Sequence, residues 1–374
     1  MSPHVVENQV FTVSAQLQRD LVRALAVWYQ RQQRNLPWRQ TRDPYAIWVS
    51  EVMLQQTQVK TVLPYFERFM TRFPSPADLA RAELPRVLKV WEGLGYYARA
   101  RNLHKAAGIV AVQLDGCVPS RWDTLRALPG IGDYIAAAVL SIAFNRPYAV
   151  LDGNVKRVLA RLFLIHTPVN QAAAHQRFQT LADSLLDRKH PGDHNQAMME
   201  LGATVCTPRH PRCPQCPVAQ FCRALQTGNT DIYPRRLKKE PVPHVHLVAG
   251  LVWKKERVLL TRRPAQGLLG GLWEFVSGKL EPGRDPSVRL AALIKQTVHL
   301  DVRVQRRVAV VQHAYTHFKI QMQVYECQWR NGRVRLHGPA QFAWIRLNQL
   351  NRYALHGAVH KAVEQFKTLY PPHA

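Results

Sequence analysis

The chain has 374 residues, enough for about two to three domains, and at 47% hydrophobic and 20% charged it has the composition of a folded protein, not a disordered one. Lys and Arg number 51 against 25 Asp and Glu, a formal charge of +26, and an excess of that size points to a polyanionic partner: nucleic acid first, an acidic membrane surface second. No stretch approaches the ~18 apolar residues of a membrane span, Met1 to Val13 lacks a secretory pattern, and six cysteines are too few for a secreted disulfide scaffold. The expectation is a soluble protein of the cytoplasm.

From Ser14 to Leu225 apolar residues recur at spacings of three and four, as in Leu17, Leu21, Leu25 and Trp28, with breaks at Pro37, Pro74, Pro129 and Gly153. This predicts an all-helical region. A helix over Tyr45 to Val59 sets Glu51 among Ile47, Trp48, Val49, Val52, Met53 and Leu54. Apolar neighbours remove solvent from a carboxylate and raise its pKa, which suits a general acid, although the same periodicity also fits a surface Glu beside Ser50, Gln55 and Gln58.

Leu128-Pro129-Gly130-Ile131-Gly132 separates predicted helices Trp122 to Ala127 and Tyr134 to Phe144. Such a hairpin can offer Leu128, Gly130 and Gly132 backbone to a phosphate at a helix N-terminus, or it can be a plain helix connection. Asp152, before Gly153-Asn154, reads first as an N-cap, and a cap that faces a cleft can also be catalytic.

Cys206, Cys213, Cys216 and Cys222 form C-x6-C-x2-C-x5-C, a ligand set for tetrahedral zinc or for an iron-sulfur cluster. The intervening Arg- and Pro-rich loops leave little local core, so the metal would supply the folding energy of this module. Cys117 and Cys327 lie apart and read as ordinary thiols.

Thr227 to Pro243, with the basic run Arg235, Arg236, Lys238 and Lys239, reads as a solvated linker. Beyond it the period shortens. Strands are predicted at His244 to Val252, Arg257 to Thr261, Val302 to Gln312, His317 to Gln328 and Arg333 to Leu336, with helices at Ser287 to Val298 and Ala358 to Thr368. The C-terminal part is therefore an α/β module.

Taken in order, Pro37-Trp38-Arg39, Val49 to Val59, Gly93 to Ala100, the hairpin, Leu151 to Arg161, Asn195 to Met199 and the four cysteines resemble the MutY adenine DNA glycosylases. The resemblance implies an all-α helix-hairpin-helix glycosylase fold over residues 1–226: a six-helix barrel at about 36–150, and a module of the N-terminal helix plus about 151–226 that holds a [4Fe-4S] cluster. A linker at 227–243 and an α/β Nudix-like domain at 244–374 follow. It implies a monomer acting on double-stranded DNA that contains adenine opposite 8-oxoguanine (A:8-oxoG) or guanine (A:G), in the bacterial cytoplasm and nucleoid, with no membrane partner.

For the site, the resemblance implies that Glu51 protonates adenine N7, ionised Asp152 stabilises the cationic sugar, and Tyr134 and Asn154 support them. Trp38, Arg39 and Leu54 line the pocket for the flipped base, with Glu200 at the adenine edge, while Gln56 and Tyr96 enter the duplex. The related endonuclease III group carries a nucleophilic Lys two positions after the second hairpin glycine; here that position is Tyr134, so the expected reaction is hydrolysis with little intrinsic strand cleavage.

Gly270 to Phe275 followed by Gly278 to Gly283 resembles the entry to a Nudix box, but the metal-binding Glu positions hold Arg284, Leu293, Gln296 and Thr297, and the Arg position holds Ala292. Nucleotide hydrolysis is not expected. Tyr315, Thr316 and His317 stand where MutY proteins carry a Phe-Ser-His motif that touches 8-oxoguanine, which implies a sensing role for them.

Overall fold

The computed structural model describes residues 13–238, 240–315 and 317–370. Twelve helices come first among these: α1 Ala15–Gln32, α2 Pro44–Leu54, α3 Val59–Arg72, α4 Pro76–Arg81, α5 Leu84–Val90, α6 Ala98–Gln113, α7 Trp122–Arg126, α8 Asp133–Phe144, α9 Gly153–Leu162, α10 Ala174–Leu185, α11 Pro191–Thr204 and α12 Arg223–Gln226. No described helix is long and apolar enough to cross a membrane.

Local chemistry sets the boundaries. The Ser14 side chain caps α1 by accepting from Leu17 N at 3.2 Å, and the helix buries Leu21, Leu25 and Tyr29. Asp43 caps α2 through Tyr45 N and Ala46 N, and every residue from Tyr45 to Met53 is buried, as in a helix enclosed on all sides. That helix stops at Leu54, short of the predicted Val59, because Gln56 turns left-handed at φ +55° and the chain restarts in α3.

Contacts divide the chain into two compact units, Met1–Gln56 with Ile109–Lys239, and Thr57–Gly108 with Glu240–Ala374. The break at Lys239 falls inside the expected linker, but Thr57–Gly108, expected within a barrel over 36–150, groups with the C-terminal sheet. The linker itself is not a solvated tether over most of its length. Tyr233 is 4% exposed, Arg161 Nε donates to the carbonyls of Thr230 and Tyr233, Arg235 O accepts from Val169 N at 3.0 Å, and Leu237 pairs with Asn170. These bonds hold it to the first unit as far as Leu237.

In the first unit α8 is buried from Ile135 to Ile142 and packs on α2, while α11 packs on α1, α8 and α9. The α9–α11 approach requires Gly202: a Cβ there would lie 2.5 Å from Asn154 Cβ, closer than packing allows.

The second unit carries β1 His244–Lys254, β2 Arg257–Arg262, β3 Trp273–Glu274, β4 Val276–Lys279, α13 Pro286–Val298, β5 Asp301–Ala314, β6 Lys319–Asn331, β7 Gln341–Ile345 and α14 Gly357–Phe366. The sheet runs β3-β2-β1-β6-β5, with β4 on β1 and β7 on β2; β1 and β6 are parallel and the other pairs antiparallel. Alternation sorts the side chains: Ala249 and Leu251 face a core with α14, whereas Val248 and Val252 face one with α13. The predicted strand Arg333 to Leu336 is absent. Gly332 turns at φ +98°, and the backbone beyond it bonds to the end of α13 through Arg335 N to Val298 O and His337 N to Thr297 O. Leu293, on a Nudix metal position, is 9% exposed and packs against Gly278, so apolar contact fills that place.

Candidate active site

The centre of the first unit is a pair of carboxylates with unequal surroundings. Glu51, on α2, is 4% exposed, which removes the surface alternative, and burial pushes its pKa from an ordinary 4.5 up to about 7. Its partner is Tyr134 at the start of α8, whose hydroxyl donates to Glu51 Oε2 at 2.6 Å and lies 3.3 Å from Met199 Sδ. Burial and the adjacent carboxylates raise the Tyr134 pKa well above 10, so the phenol stays a neutral donor.

Asp152 is the N-cap of α9: Oδ1 accepts from Val155 N at 2.7 Å and Oδ2 from Asn154 Nδ2 at 2.8 Å. Burial raises its pKa, and the Val155 and Asn154 donors oppose that rise. With two N–H donors and a helix N-terminus against the single phenol at Glu51, Asp152 is the member of the pair that carries negative charge more readily. Repulsion from Asp152 in turn helps keep the proton on Glu51.

The framework behind the pair contains residues that sequence reasoning missed. Arg157, 5% exposed, donates to Asn154 Oδ1 at 2.9 Å, to Gly202 O at 2.7 Å and to Cys206 O at 2.7 Å, and so joins the Asp152 cap to α11 and the first cysteine. Asn195 fixes the strand of chain leading to Asp152 through Val150 N, Tyr148 O and Ser141 Oγ. The signal was available in the spacing of Arg157 and Arg161, four apart on the buried face of α9.

Trp38 is 5% exposed in the turn Pro37–Arg39, and Leu54 is partly exposed at the end of α2. The Arg39 guanidinium sits 5.5 Å from the Tyr29 ring centroid and donates to Glu200 Oε2 at 2.7 Å. Glu200 is fully buried, and although burial alone would raise it, Arg34 and Arg39 pull its pKa down to about 2. Its oxygens receive Arg34 N, Nε and Nη2 as well as Arg39 Nη2. Four donors reach this carboxylate, so Glu200 holds Arg39 beside Trp38 in the Pro37–Arg39 turn.

Two residues expected at the duplex stand out by conformation. Gln56 is exposed at φ +55°, and Tyr96 is 42% exposed at φ +48° between Gly95 and Tyr97. Left-handed backbone in a non-glycine residue is unusual and concentrates at functional sites. In the hairpin, Leu128 is 5% exposed, Gly130 turns at φ +82°, and Gly132 is the N-cap of α8 with no side chain capping it, which leaves backbone N–H groups open to a ligand.

The cysteine loop is built from short turns in which only Val218 and Ala224 are buried apolar residues between Cys213 and Gln226. Burial raises Cys213, Cys216 and Cys222, Cys216 to about 12, and the neighbouring thiolates repel one another's charge. Cys206, Cys213, Cys216 and Cys222 lie near enough for their charges to interact, and four such thiolates need a cationic centre, so the chemistry of the donor set fits a cluster. Arg161, 2% exposed, sits beside it, donating to Cys206 Sγ at 3.3 Å and Thr207 O at 2.8 Å. Cys117 is exposed and Cys327 is buried in the sheet core, neither joining the set.

In the second unit Tyr315 is partly buried, 4.6 Å from the His313 ring and 4.9 Å from that of Phe318, and His317 is exposed. Thr316 lies outside the described residues.

Fold and site define a helix-hairpin-helix base-excision glycosylase with an iron-sulfur module and a Nudix-like domain. Family models agree: residues 49–182 match the HhH-GPD superfamily of base excision DNA repair proteins, 206–222 the iron-sulfur binding domain of endonuclease III, and 248–365 the NUDIX domain. The human adenine DNA glycosylase is 34% identical over 434 residues, covering 99% of this chain and 79% of that one, and the rat enzyme is 38% identical over 87% and 72%. The chain belongs to the adenine DNA glycosylase family, and the cysteine loop holds a [4Fe-4S] cluster. Among solved structures, a thermostable thymine-DNA glycosylase is 28% identical with a TM-score of 0.52, covering 56% of this chain and 97% of that one. Endonuclease III in a non-covalent DNA complex, 23% identical over 58% of this chain and 99% of that one with a TM-score of 0.50, shares the fold.

Proposed function

We propose that the chain excises adenine from duplex DNA where it lies opposite 8-oxoguanine or guanine, by hydrolysis and as a monomer in the cytoplasm. The observation that carries this reading is Glu51: a buried carboxyl held near pKa 7, with one phenol donor and a second carboxylate close enough to repel its charge.

Breaking the N-glycosidic bond leaves the electron pair on adenine N9 and a cationic sugar. Glu51 donates its proton to N7, which makes the base a better leaving group, and ionised Asp152 faces the developing positive charge. Asn154 orients Asp152 through its 2.8 Å bond, and Tyr134 orients Glu51. Water then adds to the sugar carbon, and the proton it loses returns to the ionised Glu51, which restores the acid. Tyr134 has no amine to form a Schiff base, so the product is an abasic site in an intact strand. When bound, the cluster would hold the cysteine loop, which Arg157 and Arg161 tie to α9.

Adenine leaves the stack at a cost of a few kcal/mol and enters a pocket with Trp38, Arg39 and Leu54, while Gln56 and Tyr96 occupy the opened duplex. Leu128, Gly130 and Gly132 offer backbone to a phosphate, and the +26 charge supplies the sequence-independent affinity. Tyr315, Thr316 and His317 contact the opposing 8-oxoguanine.

The test is a duplex labelled on the adenine strand, incubated with the cluster-loaded protein and worked up with and without alkali. Strand breaks only after alkali, opposite both 8-oxoguanine and guanine, support the reading. Breaks without alkali, or no adenine release, contradict it.

A further inference from the structure

Inside the second unit, one carboxylate joins the Nudix-like domain to the turn that presents Tyr96. Glu92 follows α5, and its Oε1 accepts from Leu355 N at 2.6 Å and meets His360 Nε2 at 2.9 Å. Its Oε2 pairs with Lys89, which also donates to Tyr353 O at 3.0 Å. The Glu92 side chain is only 13% exposed. A second bond runs beside the first: Tyr97 Oη donates to Leu355 O at 3.3 Å and accepts from Gly93 N at 3.2 Å.

The turn so held has little freedom. Gly93 and Gly95 are at φ +95° and +78°, Tyr96 is at +48°, and a Cβ on Gly93 would fall 2.3 Å from Tyr65 Oη, which itself donates to Glu92 O. Trp91 Nε1 donates to Gly95 O at 3.0 Å, and the Arg99 guanidinium lies 5.2 Å from the Tyr96 ring centroid.

On the other side the same short segment reaches Tyr315. Leu355 bridges to Trp273 beside the sheet and is 2% exposed; the next residue, His356, is 5% exposed and lies 3.4 Å from Glu274 and 3.4 Å from the Tyr315 hydroxyl. Glu274 is fixed by two bonds from Arg263 Nη1, at 2.9 and 3.0 Å. Tyr315, His356, Leu355, Glu92 and the 93–97 turn are therefore in continuous contact.

We propose that Glu92 is a positioning residue that couples contact with 8-oxoguanine at Tyr315 to presentation of Tyr96, and so contributes to the preference for 8-oxoguanine over guanine. This rests on the reading of Tyr96 and Tyr315 given under Proposed function. Coupling of this kind is read as a change in the preference that depends on both ends.

The experiment measures single-turnover adenine release opposite 8-oxoguanine and opposite guanine for the full chain, for Glu92→Ala and Glu92→Gln, and for each combined with Tyr315→Phe. Glu92→Gln keeps the shape of the side chain and an acceptor for Leu355 N, which preserves the test if the alanine variant does not fold. The proposal expects the rate opposite 8-oxoguanine to fall about tenfold in Glu92→Ala and by less in Glu92→Gln, the rate opposite guanine to stay within about threefold, and Tyr315→Phe to add little on top. Equal losses on both duplexes, an unchanged preference, or losses that multiply with Tyr315→Phe would overturn it. A wild-type protein that releases adenine from neither duplex would overturn the underlying reading as well, an outcome distinct from a wild type that works and variants that keep its preference.

Discussion

Replacing Tyr134 by Phe removes the hydroxyl that donates to Glu51 Oε2 at 2.6 Å and leaves the ring volume in place. That bond favours the ionised carboxylate and therefore holds the pKa down against burial, so its loss moves Glu51 above its present value of about 7. A hydrogen bond to a charged group stabilises by about 1.5–3 kcal/mol, and about 1.4 kcal/mol corresponds to one pKa unit. Because a phenol also bonds to the protonated acid, the net shift is on the order of one unit. The reactive form is the protonated one, so the rate declines as pH rises through the pKa. In the wild type roughly a tenth of Glu51 keeps its proton at pH 8, and in Tyr134→Phe roughly half does. Adenine release followed under single turnover from pH 5.5 to 9.5, at about half-unit steps across the predicted limb, separates this effect from any change in the plateau: the basic limb of Tyr134→Phe lies at higher pH. A limb that stays in place or moves to lower pH would refute the assignment of Glu51 as the acid whose pKa Tyr134 restrains.

Three further outcomes follow from the packing behind the site. In Asp152→Asn the side chain still caps α9, so stability changes by less than about 1 kcal/mol in urea unfolding while adenine release falls by at least about 100-fold; a loss of stability matching the loss of rate would reduce Asp152 to a cap. Gly202→Ala sets a Cβ 2.5 Å from Asn154 Cβ and moves the N-terminus of α9, with an expected loss of about 1–3 kcal/mol and a lower rate; unchanged rate and melting temperature would show that α9 and α11 yield without disturbing Asp152. Arg161→Ala leaves the carbonyls of Thr207, Thr230 and Tyr233 without their buried donor, which predicts about 3 kcal/mol or more of destabilisation and faster bleaching of cluster absorbance under chelator, and absorbance lost at the wild-type rate would contradict it.

Much of this was legible in the sequence because it rests on local rules. Four thiols at fixed spacing announce a metal, the uninterrupted apolar run Val248 to Val252 fits a strand with two buried faces, and Asp152 before a helix announces a cap. What escaped depends on long-range pairing. The two-residue strand Trp273–Glu274 is defined by its pairing with β2 and its bridge to Leu355, and β7 is exposed or half-exposed along most of its length, so neither carries a periodic signal. Arg333 to Leu336 alternates like a strand, yet its backbone bonds to the end of α13. The polar composition of Thr227 to Pro243 suggested a solvated linker, but buried Arg161 supplies partners for its carbonyls, and nothing in the linker residues themselves announces that. Likewise Glu200 pairs with arginines 161 and 166 positions away, a relation no spacing rule contains.

The central claim is that buried Glu51 supplies the proton for loss of adenine. Its most direct test compares adenine release by the wild type and Glu51→Gln on an A:8-oxoG duplex under single turnover, with duplex affinity measured alongside. The account predicts a rate at least about 1000-fold lower with affinity retained, because glutamine fills the same buried space without a proton to give. Release within about tenfold of the wild type would place the acid elsewhere and contradict the account.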